Sequence, residues 1–322
     1  MKDPKALPVK VNARYREADD IVSYELVPAA DGPLPSFTAG SHIEVRIPGG
    51  QRRCYSLCNA PSERHRYLIA VQREVHGEGG SSAMHDRVQQ GDVIEISEPR
   101  NHFPLRDSAV HTVLLAAGIG ITPILCMAER LQSLGASFAM HYSCKTRSRT
   151  AFYERIRSSS FASRAHFYFS DASGGRRLDL DDCLRRAPAR AEIYVCGPRR
   201  FIDAALCSAA RNGRTSQDVH YESFVADDRA HASDAAFEVE LSRRGRVVAV
   251  PAGTTVVQAL HAAGVVVPVS CRQGSCGTCL IPVLAGIPDH RDSFLTLEER
   301  AANEQFTPCC SRALTPRLVL DI

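Results

Sequence analysis

Five of the twelve cysteines in this 322-residue chain fall between positions 271 and 310. Four of them, Cys271, Cys276, Cys279 and Cys309, read C-x4-C-x2-C-x29-C, and Cys310 follows directly. Three thiols on one loop with a fourth far along is the spacing of a plant-type [2Fe–2S] site, where four thiolates surround two bridged irons. A structural zinc site pairs two short Cys or His units instead. The spacing therefore predicts the cluster over zinc, and it favours Cys309 over Cys310 as fourth ligand while leaving the neighbour open. Gly274 and Gly277 in the loop can take backbone conformations closed to residues with a Cβ. Ser275 and Thr278 are small and can donate hydrogen bonds toward sulfur.

Further candidates for chemistry lie upstream. Arg53-Cys54-Tyr55-Ser56-Leu57 offers a guanidinium fork suited to phosphate, an aromatic plane and a hydroxyl. On a strand Arg53 and Tyr55 share a face and Ser56 takes the other unless the strand bends. Gly79-Gly80-Ser81-Ser82 opens a predicted helix, whose free N–H groups and dipole favour a phosphate. In LLAAGIGITP, Gly118 and Gly120 end an apolar strand while Thr122 and Pro123 start a helix, a turn through which backbone can approach a pyrophosphate. Cys196-Gly197-Pro198 ends another strand. Each string alone reads equally as a barrel strand, a helix start or a plain turn. Their weight comes from the order in which they occur.

The elements that must position them fall into three blocks. VKVNARY, IVSYELV, SHIEVRI, RRCYSL, RYLIAVQRE and DVIEIS are short, often alternating runs between Gly, Pro and Asp breaks. They predict a small antiparallel barrel interrupted by one helix, GGSSAMHDRVQQ. From His111 apolar strands alternate with helices (TPILCMAERLQSLG, RTAFYERIRS, LDLDDCLRR, PRRFIDAALCSAARNG), which predicts a parallel sheet covered on both faces. VHYESF at 219–224 closes that block, and ADDRAHASDAA reads as a linker. The hairpin FEVELSRRGRVVAV, the helix TTVVQALHAAG, the cysteine loop and a final strand RLVLDI follow. The expected domains are a barrel over 1–106, an α/β domain over 107–225, a linker over 226–236 and an α+β domain over 237–322.

Composition narrows the classes. No run of about 18 apolar residues is present to span a membrane, and the start lacks the apolar core of a secretory signal, so a cytoplasmic location is expected. A net charge of +3 argues against nucleic acid as a partner. No apolar repeat or coiled-coil seam is visible, which leaves a monomer as the default.

Residues 237–322 resemble a plant-type ferredoxin domain of the β-grasp class. With the upstream motifs in the same order, the whole chain resembles the phthalate dioxygenase reductase family. That resemblance implies the domain order FMN, NAD, ferredoxin. It implies Arg53 on the flavin phosphate, Tyr55 along the isoalloxazine, Ser56 near its N5, and Gly79, Gly80, Ser81 and Ser82 at the phosphate. It implies Gly118, Gly120, Thr122 and Pro123 at the pyrophosphate, Cys196 beside the nicotinamide on the turn with Gly197 and Pro198, Phe224 over the flavin, and Cys309 as fourth iron ligand. Glu78 stands where the family often has Arg or Lys, leaving phosphate neutralisation to Arg53 and the helix end, with Arg52 as a helper. No adenine-binding insertion follows, which favours FMN over FAD. Lys145, Arg147 and Arg149 could take a 2′-phosphate, but relatives with similar residues mostly use NADH.

The implied reaction passes hydride from NADH to FMN, then single electrons through [2Fe–2S] to a Rieske-type oxygenase component acting on an aromatic compound. A flavin is needed because hydride carries two electrons and the cluster accepts one. Residues 235–322 hold eight acidic and eight basic side chains. Such a balanced domain reaches its flavin donor through a tether rather than through charge steering. A reductase for another acceptor, such as a haem protein, or a redox sensor are the competing readings.

Overall fold

The computed structural model describes residues 6–75, 79–171, 177–215, 217–224, 234–269, 274, 276–292 and 294–322. Cys271, Ser275, Glu78 and most of the expected linker lie outside these. The chain divides into two units, Met1–Glu222 and Ser223–Ile322, each taken here by itself. Among the described residues no helix is long and apolar enough to cross a membrane.

The first unit begins with β1 (Leu7–Ala18), β2 (Ile21–Pro28), β3 (Ser41–Arg46), β4 (Arg52–Ser56) and β5 (Tyr67–Gln72). Then come α1 (Gly80–Arg87), β6 (Val93–Ile96) and β7 (Arg100–Asn101). The strands pair antiparallel in the order β4-β3-β6-β1-β2-β5, with β7 on β3. An isolated bridge from Leu57, just past β4, to Ile69 in β5 joins the two ends into a barrel. Alternation drives the fold: Val9, Val11, Ile94 and Ile96 are buried while their strand neighbours face water.

A second sheet completes this unit. Its elements are β8 (His111–Ala117), α2 (Ile121–Ser133), β9 (Phe138–Cys144), α3 (Tyr153–Arg157), β10 (Ala165–Phe169), α4 (Leu180–Arg186), β11 (Ala191–Cys196), α5 (Arg199–Arg211) and β12 (Val219–Glu222). The order β10-β9-β8-β11-β12 is parallel throughout. Six of the seven β8 residues are buried, as a central strand requires. The order reverses at β8, which lies between β9 and β11. In open α/β sheets that switch point, at the carboxyl ends of the strands, is where ligands bind.

Three local expectations need correction. RTAFYERIRS is helical only over Tyr153–Arg157, because Phe152 sits in the left-handed region at φ 60° and cannot continue a helix inward from the N-terminal side. VHYESF is a strand only to Glu222. α1 starts after Gly79 at φ 83° with no side-chain cap; the Ser81 hydroxyl accepts the Glu74 N–H instead.

The second unit is a five-stranded mixed sheet, β14-β13-β19-β15-β17. Its elements are β13 (Phe237–Leu241), β14 (Arg246–Val250), α6 (Val256–Ala262), β15 (Ile281–Ala285), β16 (Pro288–Asp289), α7 (Leu297–Ala302), β17 (Gln305–Phe306), β18 (Arg312–Ala313) and β19 (Arg317–Leu320). The first and last strands, β13 and β19, run parallel side by side. Val239, Leu241, Leu260, Phe306, Leu318 and Leu320 pack beneath α6 as its core. A buried ion network holds the start of this unit. Arg291 meets Asp234 at 2.6 Å and Asp289 at 2.6 Å, and Arg312 Nε lies 3.5 Å from Asp234. The Arg312 fork also donates to the carbonyls of Ala235, Pro251 and Thr254.

Candidate functional site

Arg53 and the start of α1 come together, as a shared phosphate requires. A Cβ added at Gly80 would lie 2.9 Å from Arg53 Nε and 3.1 Å from its Cγ, so a larger residue there would push the Arg53 side chain aside. The far end of α1 is fixed by the barrel: Tyr24 donates to the Met84 carbonyl at 2.8 Å, and Arg14 to the His85 carbonyl at 2.6 Å. Arg52, the expected helper, is committed to Glu44 at 3.2 Å. Tyr55 is partly exposed, yet its hydroxyl is shut off from water and has no hydrogen-bond partner. Burial raises its pKa further, so it stays a neutral phenol.

At the switch point the two glycine turns interlock. A Cβ on Gly120 would stand 2.3 Å from the Cys196 carbonyl oxygen, and one on Gly197 would stand 2.9 Å from Ala117 Cβ. Gly118 sits at φ 55°, and its carbonyl accepts from the buried Tyr142 hydroxyl at 3.1 Å. Thr122 and Pro123 are buried one turn inside α2, where the Thr122 hydroxyl donates to the Ile119 carbonyl at 3.0 Å. Cys196 is fully buried; desolvation, with help from the nearby Glu222, pushes its thiol pKa up, so it is a neutral thiol and no nucleophile. Pro198 precedes the first turn of α5.

Sequence reasoning missed Glu222. It lay in the segment quoted for Phe224, but a carboxylate in a closing strand carries no motif. It pairs in register with Cys196 across β11 and β12, and it hydrogen-bonds the Ser56 hydroxyl from the barrel. Although part of Glu222 meets solvent, its Oε2 is excluded from water and unpartnered. Burial raises its pKa from 4.5 to about 8, outweighing the Ser56 bond, which acts downward. Ser56, Cys196 and Glu222 thus converge from both sheets of the first unit. Phe224 belongs to the second unit.

In that second unit, Cys276, Cys279, Cys309 and Cys310 are buried. Cys279, Cys309 and Cys310 form one cluster walled by Val257, Val267 and Val269. The Cys309 thiol touches those of Cys279 and Cys310, and Cys276 Sγ lies 3.2 Å from the Thr278 hydroxyl. Gly274 and Gly277 hold φ of 70° and 66°. Cys271 lies outside the described residues. Among those described, no group of three or more His, Cys, Asp or Glu side chains is placed to hold a metal ion.

Residues 239–314 match the model of the 2Fe-2S iron-sulfur cluster binding domain. The chain is 47% identical to the vanillate O-demethylase oxidoreductase of Pseudomonas putida over 313 residues, covering 97% of this chain and 98% of that protein. It is 37% identical to the phthalate dioxygenase reductase of Burkholderia cepacia, covering 98% and 97%. The solved phthalate dioxygenase reductase, described as a modular structure for electron transfer from pyridine nucleotides to [2Fe–2S], matches with a TM-score of 0.76 at 37% identity and 98% coverage of each chain. This chain belongs to the phthalate dioxygenase reductase family. It is an oxidoreductase with FMN, NADH and [2Fe–2S] as its cofactors, and its relatives are reductase components of oxygenase systems.

The residues fit those groups. Two buried polar atoms, Tyr55 Oη and Glu222 Oε2, lack hydrogen-bond partners and would be satisfied by a polar ligand. The Arg53–Gly80 approach makes a cradle for an anion. Buried thiols beside left-handed glycines and the Thr278 hydroxyl suit iron and sulfide.

Glu222 gives this family member a testable pH signature. In the unfolded chain its carboxyl ionises near 4.5, in the fold near 8. Between those values the folded state holds the extra proton, so stability of the first unit falls as pH rises from about 4.5 to about 8, then levels. Glu222→Gln removes this term, on the order of a few kcal/mol at full amplitude. Thermal unfolding followed by flavin release should show the variant gaining on the parent between pH 5 and pH 8.5. A gap that stays constant with pH would refute the assignment.

Proposed function

We propose that this reductase takes hydride from NADH and delivers single electrons to a Rieske-type oxygenase component acting on an aromatic compound. The observation that carries the reading is the meeting of Ser56, Cys196 and Glu222 at the switch point, beside unpartnered polar atoms. In this reading FMN supplies the conversion between a two-electron donor and a one-electron acceptor. The protein's part is placement and exclusion of water.

Arg53 and the N–H groups at Gly80, Ser81 and Ser82 hold the flavin phosphate, with Gly79 allowing the turn. Tyr55 lies along the ring system, donating its hydroxyl to a partner there. Ser56 presents a hydroxyl to the reacting edge, oriented by the Glu222 carboxyl, which keeps its proton at neutral pH. Gly118, Gly120, Thr122 and Pro123 form the pyrophosphate turn. Cys196, a small neutral thiol, leaves room for nicotinamide without competing as a nucleophile, while Gly197 and Pro198 turn the chain into α5. Phe224 is the aromatic that would cover a bound flavin. Cys271, Cys276, Cys279 and Cys309 hold the cluster. The assigned boundaries are 1–106, 107–225, 226–236 and 237–322, in a cytoplasmic monomer.

The preference for NADH is supported by the acidic partners of the basic residues after β9. Arg147 pairs with Glu154 at 2.8 Å and Arg149 with Asp20 at 3.5 Å, so each would have to exchange a carboxylate to meet a 2′-phosphate. An anaerobic visible spectrum before and after NADH, with low-temperature EPR, tests the internal chain. Flavin bleaching together with a reduced [2Fe–2S] signal is expected, with kcat/KM higher for NADH than for NADPH. Bleaching with zinc present and no iron signal would defeat the reading.

Arg53→Ala removes a charged donor from the phosphate. A charged hydrogen bond of about 1.5–3 kcal/mol corresponds to FMN held roughly tenfold to a hundredfold more weakly. Equilibrium dialysis or fluorescence titration of the flavin-stripped protein measures it; unchanged affinity would remove Arg53 from the site.

A further inference from the structure

The second cysteine of the pair at 309 and 310 is placed for more than packing. Residues 308–310 form a turn rather than a strand, so neighbouring side chains are not forced to opposite faces. The turn is tied by the amides of Cys310 and Ser311 to the Thr307 carbonyl, at 3.2 Å and 3.0 Å, and by the Val257 amide to the Pro308 carbonyl at 3.1 Å. Within it the two thiols touch, and Cys309 also touches Cys279. Cys310 Sγ lies 3.4 Å from the Thr307 hydroxyl and 3.9 Å from that of Ser311. It also reaches the ligand loop itself: a Cβ added at Gly274, between Cys271 and Cys276 in sequence, would stand 2.4 Å from it.

We propose that Cys310 is a reserve ligand of the iron–sulfur cluster. Cys309 fills the fourth position beside Cys279, and when its thiol is lost Cys310 fills it instead, giving up its proton as the iron–sulfur bond forms. One change of side-chain rotamer separates the two arrangements, and the Thr307 and Ser311 hydroxyls steady whichever sulfur carries charge. Other buried cysteines, such as Cys58 and Cys126 in the first unit, have the ordinary role of small apolar residues. The inference rests on reading the cysteine loop as a [2Fe–2S] site.

The test uses the full chain and its Cys309→Ala, Cys310→Ala, Cys309→Ala/Cys310→Ala and Cys279→Ala variants, purified anaerobically. Iron and labile sulfide per chain are measured, with EPR after dithionite, so that flavin and NADH play no part. Cys310→Ala is expected to keep the parent signal. Cys309→Ala should retain roughly half or more of the iron with shifted g-values, whereas the double variant and Cys279→Ala lose it. The proposal is overturned if Cys309→Ala loses iron as completely as those two, or if Cys310→Ala is the variant whose signal changes. If the parent chain itself holds no cluster, the reading of the loop fails instead, which is a different result. Should Cys309→Ala not accumulate, Cys309→Ser and Cys309→Ser/Cys310→Ala ask the same question. The proposal requires the added alanine to move the EPR signal, and coincident signals overturn it.

Discussion

Cys276→Ser is expected to abolish the reduced-cluster EPR signal while flavin bleaching by NADH persists at nearly the parent rate. The proposed ligand set takes Cys276 from the cysteine loop, where its Sγ lies 3.2 Å from the Thr278 hydroxyl. Electron delivery to a protein acceptor should then fall by more than about a hundredfold, because that exit runs through the cluster. The Arg53–Gly80 approach proposed to hold the flavin phosphate lies in the other unit. Stopped-flow absorbance at the flavin band and EPR on the same sample separate the two steps. Survival of the cluster would mean that the ligand assignment is wrong.

Gly120→Ala strikes the opposite end of the reaction. The added methyl would sit 2.3 Å from the Cys196 carbonyl oxygen and 2.6 Å from the Gly197 amide nitrogen, both rigid backbone. The turn after β8 must therefore separate from the turn after β11, and those two turns are the ones proposed to frame the nicotinamide. A displacement near 1 Å can cost about a hundredfold in a positioned reaction, so kcat/KM for NADH should fall by about that factor. Dithionite reduction of the cluster should be unaffected. A variant with parent kinetics toward NADH would show that the close packing of the two turns plays no part in positioning the nucleotide.

Much of this was legible from residues alone because the information was local. Cysteine spacing, apolar alternation in β1 and β6, and glycines at strand ends each act over a few residues, and the parallel sheet follows from strand–helix alternation. What escaped depends on distant neighbours. Glu222 acquires its raised pKa only because the fold buries it beside β11, a burial that outweighs the downward pull of the Ser56 hydroxyl brought by the barrel. The stretch between Cys279 and Cys309 contains β15, β16, α7 and β17, two of them only two residues long and without periodicity. One signal there was readable: Thr296 and Glu299 form a capping box at the start of α7. Phe152 gave no warning, since nothing in RTAFYERIRS marks a left-handed residue. The Arg53–Gly80 contact likewise joins two segments that look unrelated in sequence.

The buried network at Asp234 has a consequence for where this protein can be cut. A fragment beginning at Phe237 looks complete by strand count, yet it would leave Arg291 and Arg312, with side chains 10% and 6% exposed, short of their shared carboxylate. Arg291 keeps Asp289, so the loss falls on Arg312, and uncompensated buried charge of this kind costs about 3–5 kcal/mol. A fragment 234–322 should accordingly fold and accept iron and sulfide, while 237–322 should melt markedly lower or fail to load, as circular dichroism and iron uptake would report. Because Arg312 stands three residues after Cys309, the module's first anchoring side chain and its last metal ligand share one scaffold. A gene fusion that transplants this electron carrier onto another flavoprotein would therefore need to bring Asp234 with it.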